Sequence, residues 1–267
     1  MKWLQASISF LVFSLSLYSQ VPSVLAQSYS NTKTKQISQK LPTSIDNQSK
    51  LPALGFAARF KPPVDDQPNP PTVGAATRGS SCLKNQQEIT ALIPANKSAL
   101  TLNEHPTFFW HIPQISEQTA EFALINDAEE KVIYKTNLTL PKQPGIISFT
   151  LPKNAPELTI NTTYRWYLTL ICDEEDSSKN PYVEGFVKRI PANLPLSESL
   201  VNADLLQKST FYAQAGIWHE ALSSFVELRC TEPNNQIVKI HWRQFLDSVG
   251  LNNIASEPLV DSCTTKN

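Results

Sequence analysis

Residues 164–172 carry the pattern that most constrains how this 267-residue chain can fold. Successive side chains of a β-strand point to opposite faces of its sheet. Apolar side chains recur at every second position of this segment, at Tyr164, Trp166, Leu168, Leu170 and Cys172. The pattern therefore predicts a central strand with one buried face, with Trp166 in the core and Tyr167 facing outward.

Short β-rich runs fill the chain from residue 88 to 190, and prolines or polar turn residues separate them. No alternation of strands with helices occurs there. This texture predicts an all-β antiparallel sandwich of the immunoglobulin or fibronectin type. The predicted strands are residues 89–93, 107–112, 121–125, 132–140, 145–151, 163–172 and 182–190.

A helical segment is predicted after Pro195, with Ser197 as the first N-cap and Gly216 as the first stop. The predicted helices span residues 200–215, 218–230 and 237–249.

The first two predicted helices are similar to one tetratricopeptide unit. The residues that carry this similarity are Tyr212, Gly216, Trp218, Ala221, Phe225 and Pro233. One unit does not make an array, because such units bury their apolar faces against neighbouring units. We therefore predict a small C-terminal helical hairpin that packs on the third helix or on the sandwich, rather than a peptide-binding groove.

The N-terminus has the pattern of a secretory signal. Lys2 precedes an apolar run at residues 8–17, and Val24-Leu25-Ala26 supplies the small residues that a signal peptidase recognises. The run is shorter than the roughly 20 residues that span a bilayer. We expect cleavage before Gln27, an exported protein in the periplasm or outside the cell, and no transmembrane segment after cleavage.

Composition divides the chain into five segments. The predicted signal peptide covers residues 1–26, and residues 27–81, rich in Ser, Gln, Lys, Thr and Pro, suit a disordered tether. A β-sandwich domain at 82–192, an α-helical subdomain at 193–251 and a C-terminal tail at 252–267 follow.

The four cysteines favour disulfides, because an exported protein with an even number of cysteines is expected to pair them. None of them forms a Cys-x-x-Cys pair, which disfavours a zinc ribbon or a thioredoxin-type site. Among the three possible pairings, sequence position favours Cys82 with Cys172 and Cys230 with Cys263.

No motif in the chain indicates a reaction. A Gly-x-Ser-x-Gly elbow, a His-Glu-x-x-His zinc motif, a phosphate loop and a dinucleotide fingerprint are all missing. The acidic run 173–176 fails the test for an EF-hand, because Ser178 stands where glycine is required. The helical His219 and His241 are expected to face solvent or to cap helices. We expect no enzyme, no catalytic or metal-binding residue and no cofactor.

A net charge of −1 disfavours nucleic acid as a partner, since such surfaces need a clustered basic excess. Aromatic side chains offer a possible interaction patch. Phe109, Tyr167 and Tyr182 are predicted to face outward, and Trp218 is a further candidate for this patch. The alternative is that the helices or the tether cover these residues.

Two functions are consistent with such an aromatic patch. The first is a non-catalytic envelope protein that binds another envelope or secreted protein. The alternative is a carbohydrate or cell-wall binding module that uses the outward-facing aromatic residues. An enzyme with an unrecognised site is a third hypothesis.

Seven short segments between Thr77 and Val260, taken together in their order along the chain, form a specific sequence pattern. They are 77–82, 92–94, 104–110, 144–148, 164–167 with Cys172 and Asp173, 183–189 and 212–218. Together they resemble a cyanobacterial exported family catalogued as a domain of unknown function (DUF 928). The resemblance implies a cyanobacterial source and export, and it implies no activity, because the family has no assigned catalytic residues. Cys230 and Cys263 are less typical of it, so their pairing rests on the compartment alone.

Overall fold

The computed structural model describes residues 58–63, 82–83, 87–116, 118–192 and 203–263. The predicted signal at 1–26, the predicted N-cap Ser197 and most of the predicted tether lie outside these residues. Within them, no helix is both long and apolar enough to cross a membrane.

The described residues form eight strands in two sheets, with the order β1-β3-β6 in one and β2-β8-β7-β4-β5 in the other. The strands are β1 (Thr90–Ala91), β2 (Ser98–Thr101), β3 (Thr107–Ile112), β4 (Thr119–Asn126), β5 (Lys131–Thr139), β6 (Gly145–Thr150), β7 (Thr163–Leu170) and β8 (Tyr182–Arg189). The prediction of a purely antiparallel fold is wrong at one place, because the edge strand β2, which was not predicted, pairs with β8 in parallel. The chain is therefore mostly β-sheet, with one mixed sheet.

Aromatic rings from both sheets meet between them and form the core. Trp110 of β3 lies 5.7 Å from Trp166 of β7, and Phe108 lies 5.1 Å from Phe122, measured between ring centroids. Trp166 is 2% exposed, which confirms its predicted place in the core. Such edge-to-face and tilted pairs each add about 0.5–1.5 kcal/mol beyond the apolar area that they bury.

Gly185 of β8 makes this packing possible. It lies directly opposite Trp166 in the paired strand, and a Cβ atom at this position would collide with the indole and stand 2.7 Å from the Ile93 side chain. Only glycine leaves the indole room to lie against the backbone of the neighbouring strand.

In the part of the chain that the structure describes, three helices follow the sheets, at α1 (Leu205–Gln214), α2 (Trp218–Thr231) and α3 (Gln236–Asp247). The second and third begin and end within one or two residues of their predicted bounds. The first begins five residues later than predicted, because Asp204 and Gln207 form a capping box there.

The first turn of α2 joins the helices to the sandwich, as predicted. Trp218 Nε1 donates to the Leu92 carbonyl at 2.9 Å, and His219 Nδ1 lies 2.9 Å from the Thr107 carbonyl. Glu220 Oε1 accepts from the backbone N–H of Leu102 at 2.8 Å. The expectation that His219 faces solvent is wrong, because the joint buries it to 6% exposure.

The buried His219 gives the protein an acid-sensitive stability. Burial lowers its pKa from 6.5 to about 4, although the hydrogen bond to Thr107 opposes that shift. The unfolded chain therefore binds more protons between pH 6.5 and pH 4, and stability is lost as the pH falls through this window. We expect this group alone to remove about 3 kcal/mol from the free energy of unfolding across it.

Urea unfolding of the wild type and of His219→Gln at pH 4, 5 and 6.5 measures this contribution. Glutamine can still donate to Thr107 but does not titrate, so the loss on acidification should shrink in the variant. Burial raises the pKa of the neighbouring Glu220, whose contribution has the opposite sign and is common to both proteins. Equal acid slopes in the two proteins would contradict the prediction.

Two disulfides tie the fold together, Cys82 to Cys172 and Cys230 to Cys263, with Cα–Cα distances of 5.5 and 5.3 Å. These are the two pairs that sequence position favours. The first joins the segment before β1 to the end of β7, and the second joins the end of α2 to the C-terminal segment.

The predicted C-terminal tail is packed over residues 252–263. A 3₁₀ turn forms at Asn252–Ile254, and Leu259 then makes a parallel bridge with Ile146 of β6. The Ile146 N–H donates to the Pro258 carbonyl at 2.7 Å, and the Val260 N–H donates to the Ile146 carbonyl at 2.8 Å. The segment thus covers an edge of the smaller sheet.

The predicted tether is also packed over part of its length. Residues 58–63 lie on the helical subdomain, where Ala58 and Phe60 are buried. The prediction of a disordered segment is wrong for these six residues, because the Phe60 side chain packs against aromatic rings of the helices.

Candidate functional site

The larger sheet presents one face that is only partly buried. Its side chains alternate along β7, where Tyr164, Trp166, Leu168 and Leu170 point into the core. The alternate positions and their cross-strand partners share the opposite face. We call this surface the outer face, and its central residues are Glu121, Arg165, Tyr167, Tyr182, Glu184 and Phe186.

Two tyrosines lie side by side on the outer face. The ring centroids of Tyr167 and Tyr182 are 5.7 Å apart, and their planes are tilted by 58°. Both side chains are partly exposed. Burial, followed by the charge of Glu184, raises the pKa of the Tyr182 hydroxyl, so this group remains a neutral donor at physiological pH.

Arg165 is fixed beside the tyrosine pair. Its Nε and Nη2 donate to Asp127 Oδ1 at 3.0 and 2.6 Å, and Nη1 lies 3.4 Å from the Tyr167 hydroxyl oxygen. The guanidinium also lies 5.2 Å from the centroid of the Phe186 ring. The hydrogen bond to Tyr167 and the contact with Asp127 raise the pKa of Arg165, and the charge is held in one orientation.

Further ion pairs frame the outer face. Lys97 Nζ lies 3.6 Å from Glu184 Oε1, and Lys135 Nζ lies 2.7 Å from Glu121 Oε2. The more exposed pair, Lys135–Glu121, is expected to add little stability, about 0–1 kcal/mol. Arranged around aromatic rings, the two pairs give a surface with charges of both signs at defined positions.

Two of the four predicted patch residues are not on this surface. Phe109 is 5% exposed, and its strand β3 is in contact with helix α2. Trp218 is fully buried in the joint between the helices and the sandwich. The structure brings together only Tyr167 and Tyr182.

Sequence reasoning missed Arg165, Phe186 and Glu184. Arg165 stands two positions before Tyr167 on the same strand, so period two alone placed it on the outward face. Phe186 and Glu184 could be placed there only with the register of β7 against β8, which pairs Arg165 with Phe186 and Tyr167 with Glu184.

A cleft of about 300 Å³ lies elsewhere, between the smaller sheet and the C-terminal segment. It is lined by Gln87, Glu88, Thr90, His111, Pro113, Asn253, Ile254 and Glu257. His111 Nε2 lies 3.4 Å from Glu257 Oε2, so a histidine and a carboxylate do meet there. Thr90, which pairs with His111 across β1 and β3, also lines the cleft.

The acidic run 173–176 lies in a turn in which the nearby Lys179 pairs with two of its carboxylates. Lys179 Nζ lies 2.8 Å from Asp173 Oδ2 and 3.3 Å from Asp176 Oδ2. The hydrogen bond from Lys179 lowers the pKa of Asp173. Among the described residues, no group of three or more His, Cys, Asp or Glu side chains could hold a metal ion.

Comparisons with known proteins identify a family and a weak likeness to a solved structure. A family model described as Domain of Unknown Function (DUF928) matches residues 73–259. No curated protein matches the chain. The crystal structure of CopC from Methylosinus trichosporium OB3b is similar over 36% of this chain and 85% of that chain, at 8% identity and a TM-score of 0.26. A likeness this low supports no inference about fold or ligand.

Proposed function

The chain belongs to the family described as Domain of Unknown Function (DUF928), and within that family we propose that it is a non-catalytic exported envelope protein. It acts by binding another envelope or secreted protein through the outer face of its larger sheet.

The observation that carries this proposal is the partly exposed Tyr167–Tyr182 pair beside the fixed guanidinium of Arg165. Tyrosine and arginine are enriched among the residues that dominate the energy of protein interfaces. Their side chains here are held by neighbours, so a partner would find them already ordered. The surrounding ion pairs favour a partner with complementary charges.

Export is supported by the signal pattern at residues 1–26 and by the two disulfides, which persist in oxidising compartments. The family resemblance adds a cyanobacterial source. We place the protein in the periplasm or outside the cell on these grounds.

We further propose that the sandwich is of the immunoglobulin type. The order β2-β8-β7-β4-β5 facing β1-β3-β6 follows the arrangement of such a fold, with β1 and β2 as a first strand divided between the sheets. The pair α1–α2 is proposed to be a tetratricopeptide-like unit, since Gly216, Trp218, Ala221 and Phe225 are all buried.

A carbohydrate-binding module is the second candidate, because sugar rings can stack on neighbouring tyrosine side chains of a sheet. The tilt of 58° between the rings favours protein over sugar. A sugar chain stacks best on rings that present coplanar faces, whereas a folded partner can fill the angle between them.

Replacing Tyr167 by alanine is expected to reduce the recovery of a defined partner protein at least tenfold in a pull-down from the exported fraction of the source cells. Such a loss corresponds to about 1.4 kcal/mol or more of binding free energy. The free energy of unfolding should change by less than about 1 kcal/mol, because Tyr167 is partly exposed.

Ile240→Ala is the matched control, since Ile240 is an exposed apolar residue of α3, away from the outer face. It should leave recovery unchanged, and Tyr182→Ala should reproduce the loss. Equal recovery by wild type and Tyr167→Ala, or recovery of glycan alone, would reject a protein partner at this face.

A further inference from the structure

A short segment of the predicted tether lies on the helical subdomain as a bound peptide would. We call residues 58–63 (Ala-Arg-Phe-Lys-Pro-Pro) the strap. It has no regular secondary structure, and burial alternates over its first four residues: Ala58 and Phe60 are buried, whereas Arg59, Lys61 and the two prolines that follow are exposed. Alternating anchors are typical of an extended peptide held in a groove.

Phe60 is the main anchor of the strap. Its ring meets Trp218 edge-on with centroids 4.9 Å apart, and it meets Phe245 at 6.5 Å, both at an interplanar angle of 87°. The two partner rings are themselves stacked at 4.7 Å. Only 6% of Phe60 is exposed, so its side chain fills a pocket that α2 and α3 build together.

The main chain of the strap is also recognised. The Phe60 N–H donates to Ser248 Oγ at 2.9 Å, and the Lys61 N–H donates to the Ala213 carbonyl at 2.9 Å. Both acceptors lie at the C-terminal ends of helices, α3 and α1. Backbone hydrogen bonds of this kind bind a peptide whatever its exposed side chains are.

Gly216 leaves room for the strap. A Cβ atom there would stand 2.9 Å from the Lys61 carbonyl oxygen and 3.1 Å from Pro63 Cδ. The residue also has a φ of +75°, which a side chain disfavours. Turn geometry and close approach of a second chain segment thus both require glycine.

The walls of this groove are held by contacts that do not involve the strap. Trp218 donates to Leu92 on the sandwich side, and Glu220 accepts from Leu102. Trp218 and Phe245 also stack on each other. These contacts would therefore help to keep the shape of the Phe60 pocket when the strap is absent.

We propose that this groove is a binding site for an extended peptide of another protein, with a small residue two positions before a phenylalanine and proline after it. The strap is the intramolecular competitor that occupies the site in the isolated chain. This inference is independent of the outer face, which lies on the larger sheet.

The connection along the chain sets how strongly the strap competes. Eighteen residues separate Pro63 from Cys82, which the disulfide to Cys172 fixes on the sandwich. Covalent linkage gives the strap an effective concentration that a free peptide must exceed before it displaces the strap. An external peptide of equal intrinsic affinity therefore binds weakly until the strap is released.

The test uses the full chain and a fluorescein-labelled synthetic peptide of residues 57–65, followed by fluorescence anisotropy. Phe60→Ala in the protein should release the strap, and we expect it to bind the peptide at least tenfold more tightly than the wild type does. Arg59→Ala is the matched control and should behave as the wild type, since Arg59 is an exposed strap residue. A peptide carrying the Phe60→Ala change should not bind.

A second variant of the chain allows the proposal to be tested if Phe60→Ala fails to fold. A protease site inserted between residues 70 and 71 allows the strap to be cut after folding, and the labelled peptide should then exchange into the groove. Retention of the cut strap without exchange, or equal binding by wild type and folded Phe60→Ala, would overturn the proposal. So would a dimer in sedimentation velocity that Phe60→Ala dissociates, because the occupant would then be the strap of a second copy.

Discussion

Replacing Trp218 by alanine is expected to lower the free energy of unfolding by about 3–5 kcal/mol, as for other buried tryptophans. The side chain is fully buried, stacks on Phe245 with ring centroids 4.7 Å apart, and meets Phe60 at 4.9 Å. Its loss would open a cavity where the strap, α2 and α3 meet. It would also leave the Leu92 carbonyl without its indole donor.

Urea unfolding followed by far-ultraviolet circular dichroism measures this effect. Trp218→Phe keeps an aromatic ring but removes the N–H donor, so its cost should be much smaller than that of alanine. Ile240→Ala, on an exposed part of α3, should cost less than about 1 kcal/mol. A loss below 1 kcal/mol for Trp218→Ala would contradict the role of this residue as the centre of the joint.

Removing the disulfide between Cys82 and Cys172 is expected to cost more stability than removing the one between Cys230 and Cys263. The first closes a sequence separation of 90 residues and the second one of 33. Loop-closure entropy in the unfolded chain then gives costs of about 4–5 and about 3–4 kcal/mol. The expected difference between the two is about 0.9 kcal/mol.

Each disulfide should be removed by replacing both of its cysteines with alanine, so that no free thiol can exchange. Equilibrium unfolding of the two double variants under oxidising conditions then gives the two costs on one scale. A larger cost for the Cys230–Cys263 pair would mean that native packing of the C-terminal segment, rather than loop length, decides the ranking.

The strands were predictable wherever one face alone is buried. The alternation along β7 placed Trp166 inward and Tyr167 outward, as the structure has them. Phe109 was misplaced because β3 is buried on both sides. The run Phe108-Phe109-Trp110 already carried that signal, since strands covered on both faces read as continuous apolar runs rather than as alternation.

Tertiary contacts decided the features that local pattern could not show. The strand β2 is a four-residue segment whose parallel partner β8 lies more than 80 positions away, so nothing local marks it. The strap lies in a segment without helical or strand periodicity, and the pocket that Phe60 occupies is built by residues more than 150 positions later in the chain, Trp218 and Phe245. Trp218 was within reach of sequence reasoning, because it lies on the same helical stripe as Ala221, Phe225 and Leu228.

The two disulfides also decide how the protein would respond to tension between its ends. A pull on the chain before Cys82 crosses the first bridge to Cys172, and a pull on the last residues crosses the second bridge from Cys263 to Cys230. Strands β1 to β7 and helix α3 lie inside these covalent loops and cannot be stretched. The strap lies outside them, held only by noncovalent contacts, so it would be the first element to detach under load and would uncover the groove beneath it.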